Sequence, residues 1–329
     1  MNLKEIAELA GVSPAAVSRY FNGGSLSAEK QDRIRKVIEE TNFSPNRLAR
    51  DLRKGHVAQV GVIVPKIHSI SVSEVLSGIN EILSKAHYLT LLGCTDEKDE
   101  REEEYLTRME AYQLAGLIIM ATSVTPEKEK RYREMKVPVV ITGQKYPSLD
   151  CIYHDDYHAM AVLAERMIQA GRKRFAYIGV SETDPAAGLN RRLGAFDTFQ
   201  EYGIPTEEIP VQCAEFTVES GYQCMQAVLK SGYQPDGILC ATATIAHGAM
   251  LALREAGIRV PEQAGIAGIG NDEANRISIP SLTTVRLYQS ECGREAARML
   301  LQRIGERSGE SLPARQTMLG YTFVKGNSI

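Results

Sequence analysis

The chain has 329 residues, of which 43% are hydrophobic and 24% are charged, with a formal net charge of −3. Its apolar runs (VGVIVP, GLIIM and VPVVI) are far shorter than the roughly twenty residues of a membrane span, and no signal-peptide pattern opens it, so we expect a cytoplasmic protein with no membrane partner. The six cysteines include no C-x-x-C pair, which argues against a zinc site or a disulfide framework.

The charge is unevenly distributed along the chain. Residues 1–60 carry ten Lys and Arg against seven Asp and Glu, whereas the remainder is acidic overall. A basic segment on an acidic protein suggests that this segment meets a polyanion. The length also favours about two domains.

Three helices are predicted in the first 45 residues. Asn2 and Glu5 form a capping box, and Ser13-Pro14 is a typical helix start. Ser27 begins a third, longer helix with apolar residues at helical spacing. A second Ser-Pro pair opens the short segment PNRLARDLRKG, which is too short for a helix stable by itself and should form mainly when docked.

These motifs resemble the DNA-binding head and hinge of the LacI/GalR family. The similarity covers A-G-V-S-x-x-x-V-S-R and x-P-N-x-x-A-x-x-L. It implies a helix-turn-helix head at residues 1–44, a hinge helix and linker at 45–58, and binding to double-stranded, pseudo-palindromic operator DNA. The second helix would lie in the major groove, with Leu52 as a wedge between base pairs in the minor groove. The DNA-binding residues implied are Ser13, Ala15, Ala16, Ser18, Arg19, Asn22, Asn46, Arg47 and Leu52, with Ala15 and Ala16 as the variable base-reading pair.

From residue 59 onward, short buried strands alternate with amphipathic helices. This pattern predicts α/β architecture with parallel sheets wound on both faces. The predicted strands are Val60–Pro65, Leu89–Cys94, Gly116–Met120, Val139–Gly143, Phe175–Gly179, Gly237–Ala241 and Gly265–Ile269. The clearest helices are Val72–Ala86, Glu100–Tyr112, Tyr157–Ala170 and Ile245–Ala256. Two such units in tandem make a bilobed body, and ligands of this fold class bind beyond the carboxyl ends of the strands.

This body resembles the effector domain of the same family, which is similar to periplasmic sugar-binding proteins. The resemblance implies an effector domain at 59–329, with an N-lobe of about 59–157 and 287–317 and a C-lobe of about 158–286 and 318–329. It places the effector in the cleft between the lobes. The residues expected there are Lys66, Ser69, Ser71, Val72, Thr122, Arg192, Phe216, Thr242 and Asn271.

Two positions that are aspartate in several sugar-sensing relatives are glycine here, Gly143 and Gly270. Loss of two acids, together with Lys66 and Arg192, predicts a more positive cleft that suits a phosphate. The segment K-I-H-S-I-S resembles that of the family branch that responds to phosphorylated disaccharides such as trehalose or sucrose 6-phosphate. A neutral sugar remains an alternative effector, as does a non-sugar molecule such as a purine.

No set of residues indicates catalysis, a cofactor or a metal. The segment YHDDYH has two imidazoles and two carboxylates, but it sits where a strand meets a helix, and Asp155 or Asp156 is a natural N-cap. GIAGIGN lacks the third glycine of a dinucleotide loop. We therefore expect a regulator and not an enzyme. A sugar-binding protein without a DNA role is the alternative, but it leaves the first sixty residues unexplained.

A pseudo-palindromic operator has two-fold symmetry, and the protein that binds it usually has the same symmetry. We therefore expect a homodimer.

Overall fold

The computed structural model describes residues 2–21, 24–41, 43, 58–270, 273–306 and 312–329. The chain divides into two compact units, a head (Met1–Val57) and a body (Ala58–Ile329), and each is taken by itself below. Within the described residues, no helix is long and apolar enough to cross a membrane.

The head contains three helices, α1 (Leu3–Leu9), α2 (Pro14–Phe21) and α3 (Ala28–Thr41). The predicted capping box is confirmed, since the Asn2 side chain accepts from the Glu5 amide while the Glu5 carboxylate accepts from the Asn2 amide. Ile6, Val17 and Ile34 are fully buried and join the three helices into one small core.

The turn between α1 and α2 is fixed by an arginine from α3. Arg33 donates from Nε to the Ala10 carbonyl (3.0 Å) and from Nη2 to the Gly11 carbonyl (2.8 Å). Helix C-termini leave carbonyls without intrahelical partners, and a guanidinium satisfies two of them at once. The relative placement of α1 and α2 therefore depends on α3.

The body contains two six-stranded sheets, each with helices on both faces. The N-lobe sheet has the order β11-β5-β4-β3-β1-β2 and the C-lobe sheet the order β12-β10-β9-β8-β6-β7. All neighbours pair in parallel except β10 and β12. The strands are β1 (Gln59–Val64), β2 (Leu89–Cys94), β3 (Gly116–Met120), β4 (Val139–Thr142), β5 (Asp150–His154), β6 (Phe175–Gly179), β7 (Val211–Cys213), β8 (Gly237–Cys240), β9 (Gly265–Ile269), β10 (Thr283–Leu287), β11 (Gln316–Leu319) and β12 (Tyr321–Val324).

The helices of the body cover these sheets from both sides. They are α4 (Ile70–Lys85), α5 (Asp99–Ala111), α6 (Pro126–Arg133), α7 (Asp156–Gln169), α8 (Arg191–Glu201), α9 (Val218–Lys230), α10 (Ala243–Glu255), α11 (Glu273–Ile277) and α12 (Gln289–Gly305), with a π-helix at Pro185–Asn190 and a 3-10 turn at Thr206–Glu208. Because sheets of this kind are apolar on both faces, each lobe has two core layers.

The chain passes from one sheet to the other three times. It leaves the N-lobe sheet after β5 at Asp155, returns after β10 at Tyr288, and crosses again between β11 and β12 at Gly320. As a result each lobe is built from separate stretches of sequence. The lobe boundaries given above stay predictions at their ends, while the two-sheet α/β architecture is confirmed.

All seven strands and all four helices predicted from sequence are present, with ends within about two residues. The prediction missed β5, β7 and β10 to β12. Several of these have alternating or partly exposed residues in place of a continuous apolar run, as in β7, β11 and β12.

Two C-lobe helices approach so closely that glycine is required at their contact. A Cβ added at Gly248 on α10 would lie 1.9 Å from the Val218 carbonyl oxygen, and one at Gly221 on α9 would lie 2.2 Å from the Ile245 carbonyl oxygen. Both obstacles are backbone atoms, which cannot swing aside as a side chain would. The spacing of α9 and α10 is therefore set by these two glycines.

We expect Gly248→Ala to lower the free energy of unfolding by about 3 kcal/mol, because the added methyl forces two helices apart in a packed core. Urea denaturation followed by circular dichroism measures this. Gly305→Ala is the control, since a Cβ at Gly305 meets nothing within 4 Å. Equal stability of the two variants would contradict the close-contact role.

Candidate functional site

The first turns of α2 and the residue before them carry exposed residues of the head that are predicted to contact DNA. Ser13, Ala15, Ser18 and Arg19 are exposed there. Ser13 Oγ accepts from the Ala16 amide (3.3 Å), which makes it the N-cap. Ser18 and Arg19 lie four residues after Pro14 and Ala15, on the same helical face.

Ala16 does not belong to this surface. It is only 3% exposed and follows the inward face of α2 beside the fully buried Val17. Its assignment as a base-reading residue is therefore wrong, and the cause is helical periodicity, since 100° per residue turns residue 16 inward. Pro14, which the prediction left out, is exposed and shares the outer face with Ala15. Four of the predicted contacts lie outside the described residues, namely Asn22, Asn46, Arg47 and Leu52.

In the body, the predicted effector residues lie at the carboxyl ends of strands in both lobes. Lys66 follows β1 and Thr122 follows β3, while Arg192 is the second residue of α8 and Phe216 follows β7. Thr242 follows β8 and its hydroxyl accepts from the Ile245 amide (3.2 Å) as the N-cap of α10. Asn271 lies outside the described residues.

The serine-rich turn after β1 is divided between surface and core. Ser69 and Ser71 are joined by a hydrogen bond between their hydroxyls (2.9 Å). Val72 is 4% exposed and packs in the N-lobe core with Val75. This burial argues against the predicted effector contact at Val72, because the side chain packs with the N-lobe core.

Lys66 and Phe216 meet across the cleft, one from each lobe. The Lys66 ammonium lies 5.5 Å from the centroid of the Phe216 ring. A cation at this distance over an aromatic face is attracted by the ring quadrupole. The sequence placed both residues in the cleft, and the structure brings them together.

The two cations predicted for the cleft, Lys66 and Arg192, each have a carboxylate partner. Lys66 Nζ lies 2.8 Å from Glu97 Oε2, and Arg192 pairs with Glu182 while its guanidinium lies 5.2 Å from the Phe196 ring centroid. Glu97 and Glu182 thus supply negative charge beside the two cations, although Gly143 and Gly270 replace aspartates. The inferred excess of positive charge at Lys66 and Arg192 is therefore corrected, since each is locally neutralised.

A second contact between the lobes involves residues that the sequence analysis missed. Gln144, which follows β4, is 3% exposed, and its Nε2 donates to Asp184 Oδ1 in the C-lobe (2.7 Å). Its Oε1 accepts from the Ala186 amide (3.2 Å). One buried side chain thus uses both ends of its amide to hold the two lobes together. The pair Asp184-Pro185 is a helix-start signal that points to this position.

Asp184 also organises the loop that leads to Arg192. Its carboxylate accepts from the Ala187 amide (2.9 Å) and caps the π-helix Pro185–Asn190. Burial raises the pKa of Asp184 above its usual value, while the bonds from Ala187 and Gln144 oppose that rise. Loss of Gln144 would leave the half-buried Asp184 carboxylate with one partner fewer.

Beside the first chain crossing, Asp156 and Arg191 form a buried ion pair. Arg191 Nη2 lies 2.7 Å from Asp156 Oδ1, and Nη1 donates to the Ala241 carbonyl at the end of β8 (2.7 Å). His154, on the other side of the crossing, is buried, and burial lowers its pKa.

YHDDYH has a structural explanation. Asp155 accepts from the His158 amide (3.2 Å) as the N-cap of α7, and it also pairs with the His158 ring (2.8 Å). In the part of the chain that the structure describes, no group of three or more metal-ligating side chains comes together.

We expect Gln144→Ala to lower the free energy of unfolding of the body by about 2 kcal/mol, because Asp184 and the Ala186 amide lose buried partners. Chemical denaturation measures this, with Gln200→Ala as the control because Gln200 is exposed on α8. An unchanged stability for Gln144→Ala would show that the lobes are not joined through this amide.

Comparisons with known proteins cover the whole chain. The family model "bacterial regulatory proteins, lacI family" matches residues 2–46, and the periplasmic binding protein-like domain matches residues 164–329. The chain is similar to the sucrose operon repressor of Staphylococcus xylosus, with 29% identity over 306 residues that cover 92% of this chain and 93% of the relative. It is also similar to the HTH-type transcriptional regulator IdnR of Escherichia coli K12, with 28% identity over 100% of this chain and 98% of the relative.

Two solved structures share the fold over the full length. The lac repressor dimer bound to operator matches with a TM-score of 0.90 at 22% identity, covering 100% of this chain and 98% of that one. The transcriptional regulator CelR in complex with cellobiose matches with a TM-score of 0.76 at 23% identity, covering 100% and 99%.

Proposed function

Because the chain belongs to the LacI family of bacterial regulatory proteins and is thus a DNA-binding regulator of transcription, we propose that it represses a sugar-utilisation operon. A sugar bound between the lobes controls its affinity for operator DNA. The observation that carries this proposal is the meeting of Lys66 and Phe216 across the cleft. A ligand that enters there contacts both lobes and changes how they close.

The side chains of the cleft favour a neutral disaccharide. Phe216 offers an aromatic face for the apolar side of a sugar ring, and Glu97 and Glu182 accept hydrogen bonds from hydroxyls. The names of two similar proteins, a sucrose operon repressor and a regulator in complex with cellobiose, support the same ligand class. A sugar phosphate is the second candidate, since Lys66 and Arg192 would bind a phosphate if it displaced their glutamate partners.

We further propose that the protein acts as a homodimer on a two-fold operator. The C-lobe exposes two large apolar side chains, Ile277 (78%) and Ile279 (96%). Ile279 lines a cavity of about 580 Å³ together with His247 and Leu251 of α10. Together with the exposed leucines of edge strand β2, this is apolar surface that a second copy of the chain would cover.

Arg19→Gln should weaken binding to an operator selected from randomised duplex DNA at least tenfold, because a guanidinium on the exposed face of α2 is lost. Fluorescence anisotropy at fixed salt measures the affinity. Lys173→Gln, which removes an exposed charge from the body, is the control. Failure to select any sequence would refute the DNA role.

Sucrose, cellobiose or trehalose at millimolar concentration should raise the melting temperature of the purified protein, because a ligand that binds only the folded state stabilises it. Phe216→Ala should abolish the shift, while Tyr112→Ala, an exposed aromatic residue at the end of α5, should retain it. A shift with the 6-phosphates alone would favour the second candidate. No shift with either set would count against a sugar effector.

A further inference from the structure

The outer face of α2 begins with apolar atoms. Pro14 and Ala15 are exposed at its first turn, and Ser18 and Arg19 follow one turn later on the same side. A helix that lies in the major groove presents its first residues to base edges. The side chains available there for the first contacts are thus a pyrrolidine ring and a methyl group.

Two polar side chains beside these residues form hydrogen bonds with the helix itself. Pro14 has no amide hydrogen, and the Ser13 hydroxyl accepts from the Ala16 amide (3.3 Å). Arg19 donates from Nε to the Ala15 carbonyl (3.4 Å), which holds the start of its guanidinium along the helix. The side chains of Pro14 and Ala15 contain no polar atom. They can neither donate a hydrogen bond to a base nor accept one from it.

The major groove offers one apolar feature for such a surface. Each base pair displays hydrogen-bond donors and acceptors there, and only thymine adds a methyl group, at C5. An alanine methyl and a proline ring gain by covering that methyl, whereas a donor or acceptor facing them loses its water without a new partner.

We propose that Pro14 and Ala15 are specificity-determining residues that select thymine in each operator half-site through its C5 methyl group. This inference rests on the proposed DNA-binding function and identifies the base feature that the head recognises. Arg19, which is exposed one turn later on the same face of α2, supplies the polar contact next to it. Ala16 takes no part, because it is buried.

The test removes the methyl group without altering base pairing. The wild-type protein first selects its operator from randomised duplex DNA, which we expect to enrich thymine at one or two positions of each half-site. Each of these thymines is then replaced by deoxyuridine. We expect an affinity loss of about threefold to fivefold at a contacted position, which corresponds to the burial of one methyl group. Replacement of thymines outside the enriched positions is the control.

A variant protein tests the same contact from the other side. Ala15→Gln adds an amide that suits adenine, so selection with this variant should replace thymine by adenine at one position and abolish the deoxyuridine effect there. Ala28→Gln, the same change at the exposed start of α3, should leave the selected sequence unchanged.

The outcomes separate this inference from the function on which it rests. If no sequence is selected, the proposed function fails. If an operator is selected but deoxyuridine binds as well as thymine at every enriched position, the regulator stands and the methyl readout is overturned. An Ala15→Gln variant that keeps the wild-type base preference overturns it as well.

Discussion

The buried ion pair between Asp156 and Arg191 joins the parts of the molecule on which the cleft depends. Asp156 starts α7 immediately after the first chain crossing, and Arg191 starts α8 at the end of the loop organised by Asp184. The same guanidinium also bonds to the Ala241 carbonyl at the end of β8. A charge buried in this way is tolerated only while its partners remain in place. The pair therefore fixes the relative positions of the starts of α7 and α8 and the end of β8, at the edge where a ligand would bind.

A ligand in the cleft would meet charged side chains that already have ion-pair partners. Lys66 is paired with Glu97 and Arg192 with Glu182, and Gln144 spans the two lobes to reach Asp184. A hydroxyl-rich molecule can exchange with these bonds one for one, whereas an anion must first displace a carboxylate. Selectivity thus depends on which internal contacts the ligand replaces, and not only on the sign of the nearest side chain.

The sequence predicted the repeating strand and helix order and most strand-end positions, because buried parallel strands read as continuous apolar runs. It failed where a residue's orientation decides its role. Ala16 and Val72 sit next to functional positions in the chain but face inward. Gln144 carries no motif, and its importance arises only when the second lobe brings Asp184 within 2.7 Å. Such contacts between segments forty residues apart follow from the tertiary fold and not from local spacing.

Because of the three crossings, the N-lobe can be completed only late in synthesis. Leu300 and Ala296 of α12 belong to the N-lobe core, and Arg303 forms two bonds with Asp150 at the start of β5. That lobe consequently lacks one covering helix and an edge strand until the ribosome has synthesised residues up to about 319, long after the head has emerged. During synthesis, a DNA-binding segment precedes a completed sensor by most of the length of the chain, so nascent molecules acquire their ligand response last.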